Sequence, residues 1–179
     1  MYAYGRKAGG DDVGQSLELV QRAKEGDAQA FAKLYEEIYQ DLYRFARYTL
    51  KNAHDAEDVV SDTVMDAWQG IRGLRRTESF RAWIFRILTN KCRRKLAQYA
   101  RKMIELPEDL TVQSGDICGE MDVRRAFAGL EDEERMILAL HIFGGYSSRE
   151  IGKALHMNDN TVRSRQSRAL KKMEAWLEC

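Results

Sequence analysis

One stretch constrains this chain more than any other: Ser147 to Leu177, SSREIGKALHMNDNTVRSRQSRALKKMEAWL. Ser147 with Glu150 three residues on is a capping box, so a helix starts there. Ile151, Ala154 and Leu155 give that short helix an apolar face, and His156-Met157-Asn158 interrupts it. Asn158 or Asp159 can cap a second helix by accepting its orphan backbone N–H groups. On the second helix Val162, Ala169, Leu170, Met173, Trp176 and Leu177 gather on one side. Asn160, Thr161, Ser164, Arg165, Ser167, Arg168, Lys171 and Lys172 gather on the other, with Arg163 at the margin. No carboxylate occurs from Thr161 to Met173. Arginine and lysine bind phosphates, and Arg, Asn, Ser and Thr reach base edges, so this face suits a duplex groove. The pair predicts a helix-turn-helix; the bland alternative is a solvated basic face on an ordinary helix. His156 stands where such turns often carry glycine, and histidine tolerates positive φ better than most residues.

The remainder is also helical in pattern, and the 179 residues hold a single proline, Pro107. Residues 1–15 are glycine-rich and aperiodic, which predicts a mobile tail. A helix is expected from Ser16, with Leu17, Val20 and Ala23 on one face. Gly26 ends it and Asp27 can cap the next. From Ala30 to Leu50 the apolar residues Phe31, Leu34, Tyr35, Ile38, Leu42, Phe45 and Ala46 keep the helical repeat and read as core.

His54 to Gly70 forms a helix with Ala56, Val60, Val64, Ala67, Trp68 and Ile71 on one side. Asp55, Asp58, Asp62 and Asp66 lie nearly opposite. Like charges four apart cost roughly 0.2–0.5 kcal/mol per pair, so this ridge works slightly against its own helix. A basic protein partner would give it a purpose; a solvated acidic face is the plain alternative. A metal site is disfavoured because no histidine joins the acids on that face.

A basic loop, Ile71 to Ser79, leads into a helix over Phe80 to Lys102 that Ser79 or Thr77 can start. Its apolar side holds Phe80, Trp83, Ile84, Ile87, Leu88 and Cys92. Arg81, Arg86, Asn90, Lys91, Arg93, Arg94, Lys95, Arg101 and Lys102 supply dense positive charge with no acid between. Basic grooves with aromatics hold single strands, but Trp83 and Phe85 read more simply as core. Residues 105–120 lose periodicity and mark a linker. Met121 to Gly129 then gives a short helix. Asp132 can cap another with an acidic first turn and Met136, Ile137, Leu140 and Phe143 inward; Gly144-Gly145 ends it. The divisions expected are a tail at 1–15, a helical domain at 16–104, a linker at 105–120 and a second helical domain at 121–179.

The net charge is only +1, from 29 basic and 28 acidic residues, so segregation along the chain carries the information, not the total. No apolar run approaches 18 residues and the first residues lack a signal-peptide centre. Cys92, Cys118 and Cys179 are odd in number without metal spacing, which suggests reduced thiols of a cytoplasmic protein.

Three strings in order, DAEDVVSDTVMDAW at 55–68, SFRAWIFRILTNKCRRK at 79–95 and LEDEERMILALHIFGGYSSREIGKALHMNDNTVRSRQSRALKKM at 130–173, resemble the bacterial extracytoplasmic-function (ECF) sigma factors of RNA polymerase. The resemblance implies an all-α chain of two small domains, region 2 and region 4, joined by a flexible linker. It implies a promoter-specificity subunit that directs recognition, melting and transcription initiation, is not an enzyme and uses no cofactor or metal. Asp55, Glu57, Asp58, Asp62 and Asp66 would dock on the clamp helices of the largest polymerase subunit. Arg72, Arg75, Arg76 and Thr77 would lie near a flipped base of the minus-ten element, with Asn90, Lys91, Arg93 and Arg94 along the strand. Asn160, Thr161, Arg163, Ser164, Arg165 and Arg168 would read the minus-thirty-five duplex. The implied partners are core polymerase, promoter DNA and an anti-sigma factor, with no direct membrane insertion. Two positions depart from the family pattern: Glu131, where proline is frequent, and His156, where glycine is. No C-terminal sensing domain is expected beyond the last helix. The rival from another class is a stand-alone DNA-binding regulator whose first domain dimerises or senses a signal.

Overall fold

The computed structural model describes residues 10–105 and 120–177, with side chains described for 15–102 and 123–176. Among the described residues every regular element is helical: α1 Gly10–Lys24, α2 Ala28–Leu50, α3 Ala53–Gly70, α4 Phe80–Glu105, α5 Glu120–Ala128, α6 Asp132–Ile142, α7 Ser148–Leu155 and α8 Asp159–Leu177. Two single 3₁₀ turns, Ile71–Gly73 and Thr77–Ser79, occupy the basic loop before α4. The expected tail and linker lie mostly outside the described residues, as do Cys118 and Cys179.

The breaks fall where the sequence places capping chemistry. Asp27 accepts from the N–H groups of Gln29 and Ala30, both at 3.0 Å, to open α2. Asn52 accepts from Asp55 N to open α3. Two expectations shift. The first helix begins at Gly10 rather than Ser16. The N-cap of α6 is Glu131, with Asp132 already helical; Glu134 reaches back to accept from Glu131 N at 3.2 Å, and this fixes the start one residue early.

Around α2 the stripe read from the sequence is the core: Ala30, Phe31, Leu34, Ile38, Leu42, Phe45, Ala46 and Leu50 are all buried. Val20 and Ala23 of α1, Ala56, Val60 and Ala67 of α3, and Ile84, Phe85, Leu88 and Cys92 of α4 close over it. Burying each large side chain contributes roughly 1.5–3 kcal/mol. Cys92 is sealed so completely that burial pushes its thiol up to about 12.

The second set of helices has its own small core of Ala126, Phe127, Leu130, Leu138, Ala169 and Met173. Its other face does not turn to solvent. Met136, Ile137, Leu140, Phe143 and Tyr146 continue the core built on α2 and α4. Tyr48 of α2 lies against Phe127 and Phe143 with ring centroids 4.7 and 5.2 Å away. Arg135, which follows the three acids of the first turn of α6, is wholly buried. Its guanidinium donates to the Leu130 carbonyl, to Asp132 and, at 3.4 Å, to the Thr49 carbonyl of α2. Burial holds the Arg135 group below its ordinary range, while Asp132 acts in the opposite sense.

Candidate nucleic-acid and polymerase interfaces

The α7–α8 unit is built as its capping residues dictate. Ser147 N donates to the Glu150 carboxylate at 2.9 Å, and Glu150 N donates to Ser147 Oγ at 3.4 Å. The Ser147 hydroxyl, donating to the Glu150 carboxylate at 2.6 Å, and the Ser147 backbone N–H together hold that carboxyl below the usual range. α7 closes on His156 in the left-handed region, φ +58°. Asn158 Oδ1 then accepts from Asn160 N at 2.9 Å, so Asn158 supplies the side-chain cap. A Cβ on Gly152 would stand 2.6 Å from the Met157 carbonyl oxygen, so the turn backbone packs directly on α7. That need for glycine was not read from the sequence; glycine within a short apolar helix was its only signal.

Burial of Val162, Ala169 and Met173 fixes the rotation of α8. Asn160, Thr161, Arg163, Ser164 and Arg168 are then exposed together. Arg165 is half-buried and ion-paired with Glu133 of α6; Arg163 pairs with Asp159 one turn back at 2.6 Å, and Lys172 pairs with Glu134 at 2.8 Å. Two residues assigned to the apolar side are not covered: Leu170 is 43% and Trp176 60% exposed. Among the described residues none covers them fully, although the Trp176 indole reaches to within 3.4 Å of a Cβ built on Gly129.

On α3 the acidic ridge divides. Asp55 receives hydrogen bonds from Lys95, at 2.7 Å, and from Tyr99, both of α4. Burial acts to raise the Asp55 carboxyl, but these two donors outweigh it and leave it below its usual range. Asp66 pairs with Lys91 at 2.8 Å. Thus two of the four aspartates are held by α4, and Lys91 faces α3 rather than standing clear in solvent. Glu57, Asp58 and Asp62 remain exposed, with His54 Nε2 at 3.7 Å from Asp58. Exposed Met65, a residue the ridge reading passed over, sits among them. Among the described residues no three potential ligands group as a metal would need.

Arg72, Arg75 and Arg76 project from the loop before α4, and Thr77 is half-buried. Asn90, Arg93 and Arg94 are exposed along α4. Trp83, expected in the apolar stripe, is only half-buried, whereas Phe85 is wholly so. Trp83 lines an open cleft of about 630 Å³ with Arg75, Arg76 and Arg86 on one wall and Glu150 and Lys153 of α7 on the other.

The chain is similar to known proteins along most of its length. Residues 34–102 match the family model for sigma-70 region 2, and residues 120–173 match that for sigma-70 region 4. The RNA polymerase sigma factor NccH of Alcaligenes xylosoxydans xylosoxydans is 30% identical over 173 residues, covering 89% of this chain and 93% of that protein. The chain belongs to the ECF sigma factors. The ECF sigma factor SigM of Mycobacterium tuberculosis is 27% identical over 164 residues, with 90% of this chain and 84% of SigM covered. Among solved structures, that of CnrH in complex with the cytosolic domain of CnrY is 26% identical. It has a TM-score of 0.67 and covers 92% of this chain and 97% of that one. RpoE of Bartonella quintana, solved with the anti-sigma factor NepR, shares the fold at 23% identity and a TM-score of 0.70, covering 84% of this chain and 98% of that one. This sigma factor is an all-α transcription initiation factor whose partners are core RNA polymerase and promoter DNA. No helix among its described residues is long and apolar enough to cross a membrane.

Proposed function

We propose that this sigma factor divides its partners between separate surfaces. Glu57, Asp58 and Asp62 on α3, with Asp55 and Asp66 braced behind them by α4, meet a basic surface of the core polymerase. Arg72, Arg75, Arg76 and Thr77 hold unstacked bases of the minus-ten element, while Asn90, Arg93 and Arg94 track the strand; Lys91 contributes by holding Asp66. Asn160, Thr161, Arg163, Ser164, Arg165 and Arg168 read the minus-thirty-five duplex, Arg165 exchanging Glu133 for DNA. The functional division is a region 2 unit at 16–104 and a region 4 unit at 121–179. The polymerase performs the chemistry, in the cytoplasm. The observation that carries this reading is the sorting of exposed charge: acids on α3, bases on α8 and on the loop before α4.

An anti-sigma partner fits the same scheme, since the fold is shared with a protein solved in complex with one. The decisive experiment is a gel shift on promoter DNA with and without core polymerase. Binding should be weak alone and strong as holoenzyme; affinity unchanged by core would instead favour a stand-alone regulator. Within the holoenzyme, Arg165→Ala should weaken duplex binding by about 1–3 kcal/mol if the guanidinium reads a base. A uniform loss across sequences with a shallower salt slope would make it a phosphate contact.

A further inference from the structure

We propose that Glu133 of α6 is a specificity-determining residue of the helix-turn-helix. It is a resident acceptor to which Arg165 returns when the duplex offers the wrong base, and it makes reading at that one position permissive. The proposal rests on the assignment of Arg165 to the duplex.

Two adjacent acids of α6 reach α8, to different ends. Arg165 and Lys172, two turns apart on the flank of α8 that faces α6, pair with Glu133 and Glu134. Glu134 is buried. Its carboxylate binds Lys172 at 2.8 and 2.9 Å and accepts from Glu131 N, which closes the cap of α6. Glu133 has no part in that cap. Its side chain is 63% exposed, and among the described residues Arg165 is the one cation paired with it. The Arg165 side chain is only 32% exposed, so its guanidinium lies along the edge of α8 rather than trailing in solvent.

The arginines of α8 are answered unequally. Arg163 pairs with Asp159 of its own helix. Among the described residues no carboxylate stands within ion-pair distance of Arg168. Glu133 comes from a different helix, and the shared core of Leu138, Ala169 and Met173 holds that helix against α8. Glu133 therefore remains beside a guanidinium that has swung away from it.

An arginine reads a base strictly when the wrong base leaves its donors unpaired in a desolvated groove. A good bidentate pair discriminates by roughly 5- to 150-fold. An acid kept within reach removes part of that penalty, because a guanidinium refused by the wrong base recovers its ion pair. An exposed ion pair is worth up to about fivefold in an equilibrium. The matched base must displace Glu133; the mismatched base need not. Glu133 thus weakens the cognate complex and narrows, by the same factor, its lead over duplexes changed at that base.

The test uses the holoenzyme. Selection by the parent from randomised duplex gives its promoter, and a second library randomised only across the upstream element compares the variants. Arg165→Ala should level the preference at one base pair and so identify the position. Glu133→Gln and Glu133→Ala should both sharpen the preference at that pair, by up to about fivefold. Other pairs should keep their preferences, because the loss of one negative charge acts on every sequence alike. In the Arg165→Ala background neither variant should alter that pair. Relaxed preference there would make Glu133 a brace that orients the guanidinium, and would overturn the proposal. An unchanged preference would overturn it too, as would sharpening that survives removal of Arg165. Circular dichroism should match the parent; if Glu133→Ala loses helicity, Glu133→Gln keeps the side chain's length and is judged by the same reading. If Arg165→Ala levels no position, the duplex assignment of Arg165 falls and takes the proposal with it. A levelled position that Glu133→Gln leaves untouched counts against the proposal alone.

Discussion

Replacing Gly152 by alanine sets two effects of known size against each other inside the helix-turn-helix. On helix propensity alone alanine should stabilise α7 by about 1 kcal/mol. The added Cβ, however, falls 2.6 Å from the Met157 carbonyl oxygen and 3.5 Å from Asp159 N. That is about 0.7 Å inside an ordinary C···O approach of roughly 3.3 Å. Neither neighbour is the end of a flexible side chain. Both belong to the turn backbone, which Met157 N anchors to Gly152 O at 2.8 Å. Overpacking of this kind costs about 1–3 kcal/mol, and loosening that hydrogen bond costs about 1 kcal/mol more. With the propensity gain subtracted, the variant should be less stable by about 2 kcal/mol. Urea unfolding followed by circular dichroism reads the change, and duplex binding should weaken in parallel as α7 and α8 splay. A Gly152→Ala protein as stable as the parent, or more so, would show that the close approach does not govern this turn.

Other expectations are simpler. His156→Gly should raise stability by about 0.5–1 kcal/mol, because left-handed backbone costs a side chain about 1–2 kcal/mol and glycine's extra unfolded freedom cancels only part of that; a lower melting temperature would argue against it. Asp58→Arg with Asp62→Arg should abolish co-purification with core polymerase while circular dichroism stays unchanged, and intact co-purification would remove α3 from the docking surface. Because the folded Asp55 carboxyl lies below its ordinary value, its stabilisation is complete above the unfolded pKa, near 3.9. It is lost as pH falls through the folded value. Asp55→Asn should therefore flatten the acid limb of the stability profile measured by urea titration, and an unaltered limb would mean that the Lys95 and Tyr99 bonds do not set it.

Much of this molecule is legible along the chain because its signals are local. Ser147 with Glu150, Asp27 before Ala28 and the repeat from Ala30 to Leu50 each act within one helix. What was not legible depends on helices far apart in sequence. Arg135 follows three acids and looks like surface, yet its partners include the Thr49 carbonyl 86 positions earlier. The aspartates of α3 looked like an unrelieved ridge because their own helix offers them only His54, beside Asp58; Lys91 and Lys95 come from another. Leu170 and Trp176 show the opposite error. A helical wheel marks a residue as apolar but cannot say whether anything covers it.

The seam between α3 and α4 carries one consequence for how the protein can vary. Asp55 with Lys95 and Asp66 with Lys91 cross-link the two helices, and one of these helices is read as facing protein and the other as facing nucleic acid. A substitution in the seam is felt on both sides at once, so the two recognition faces are not free to drift separately. Changing promoter preference through α4 while sparing recruitment should therefore be easiest at Asn90 and Arg93, because Arg94 shares a groove with Asp58, Asp62, Lys91 and Lys95.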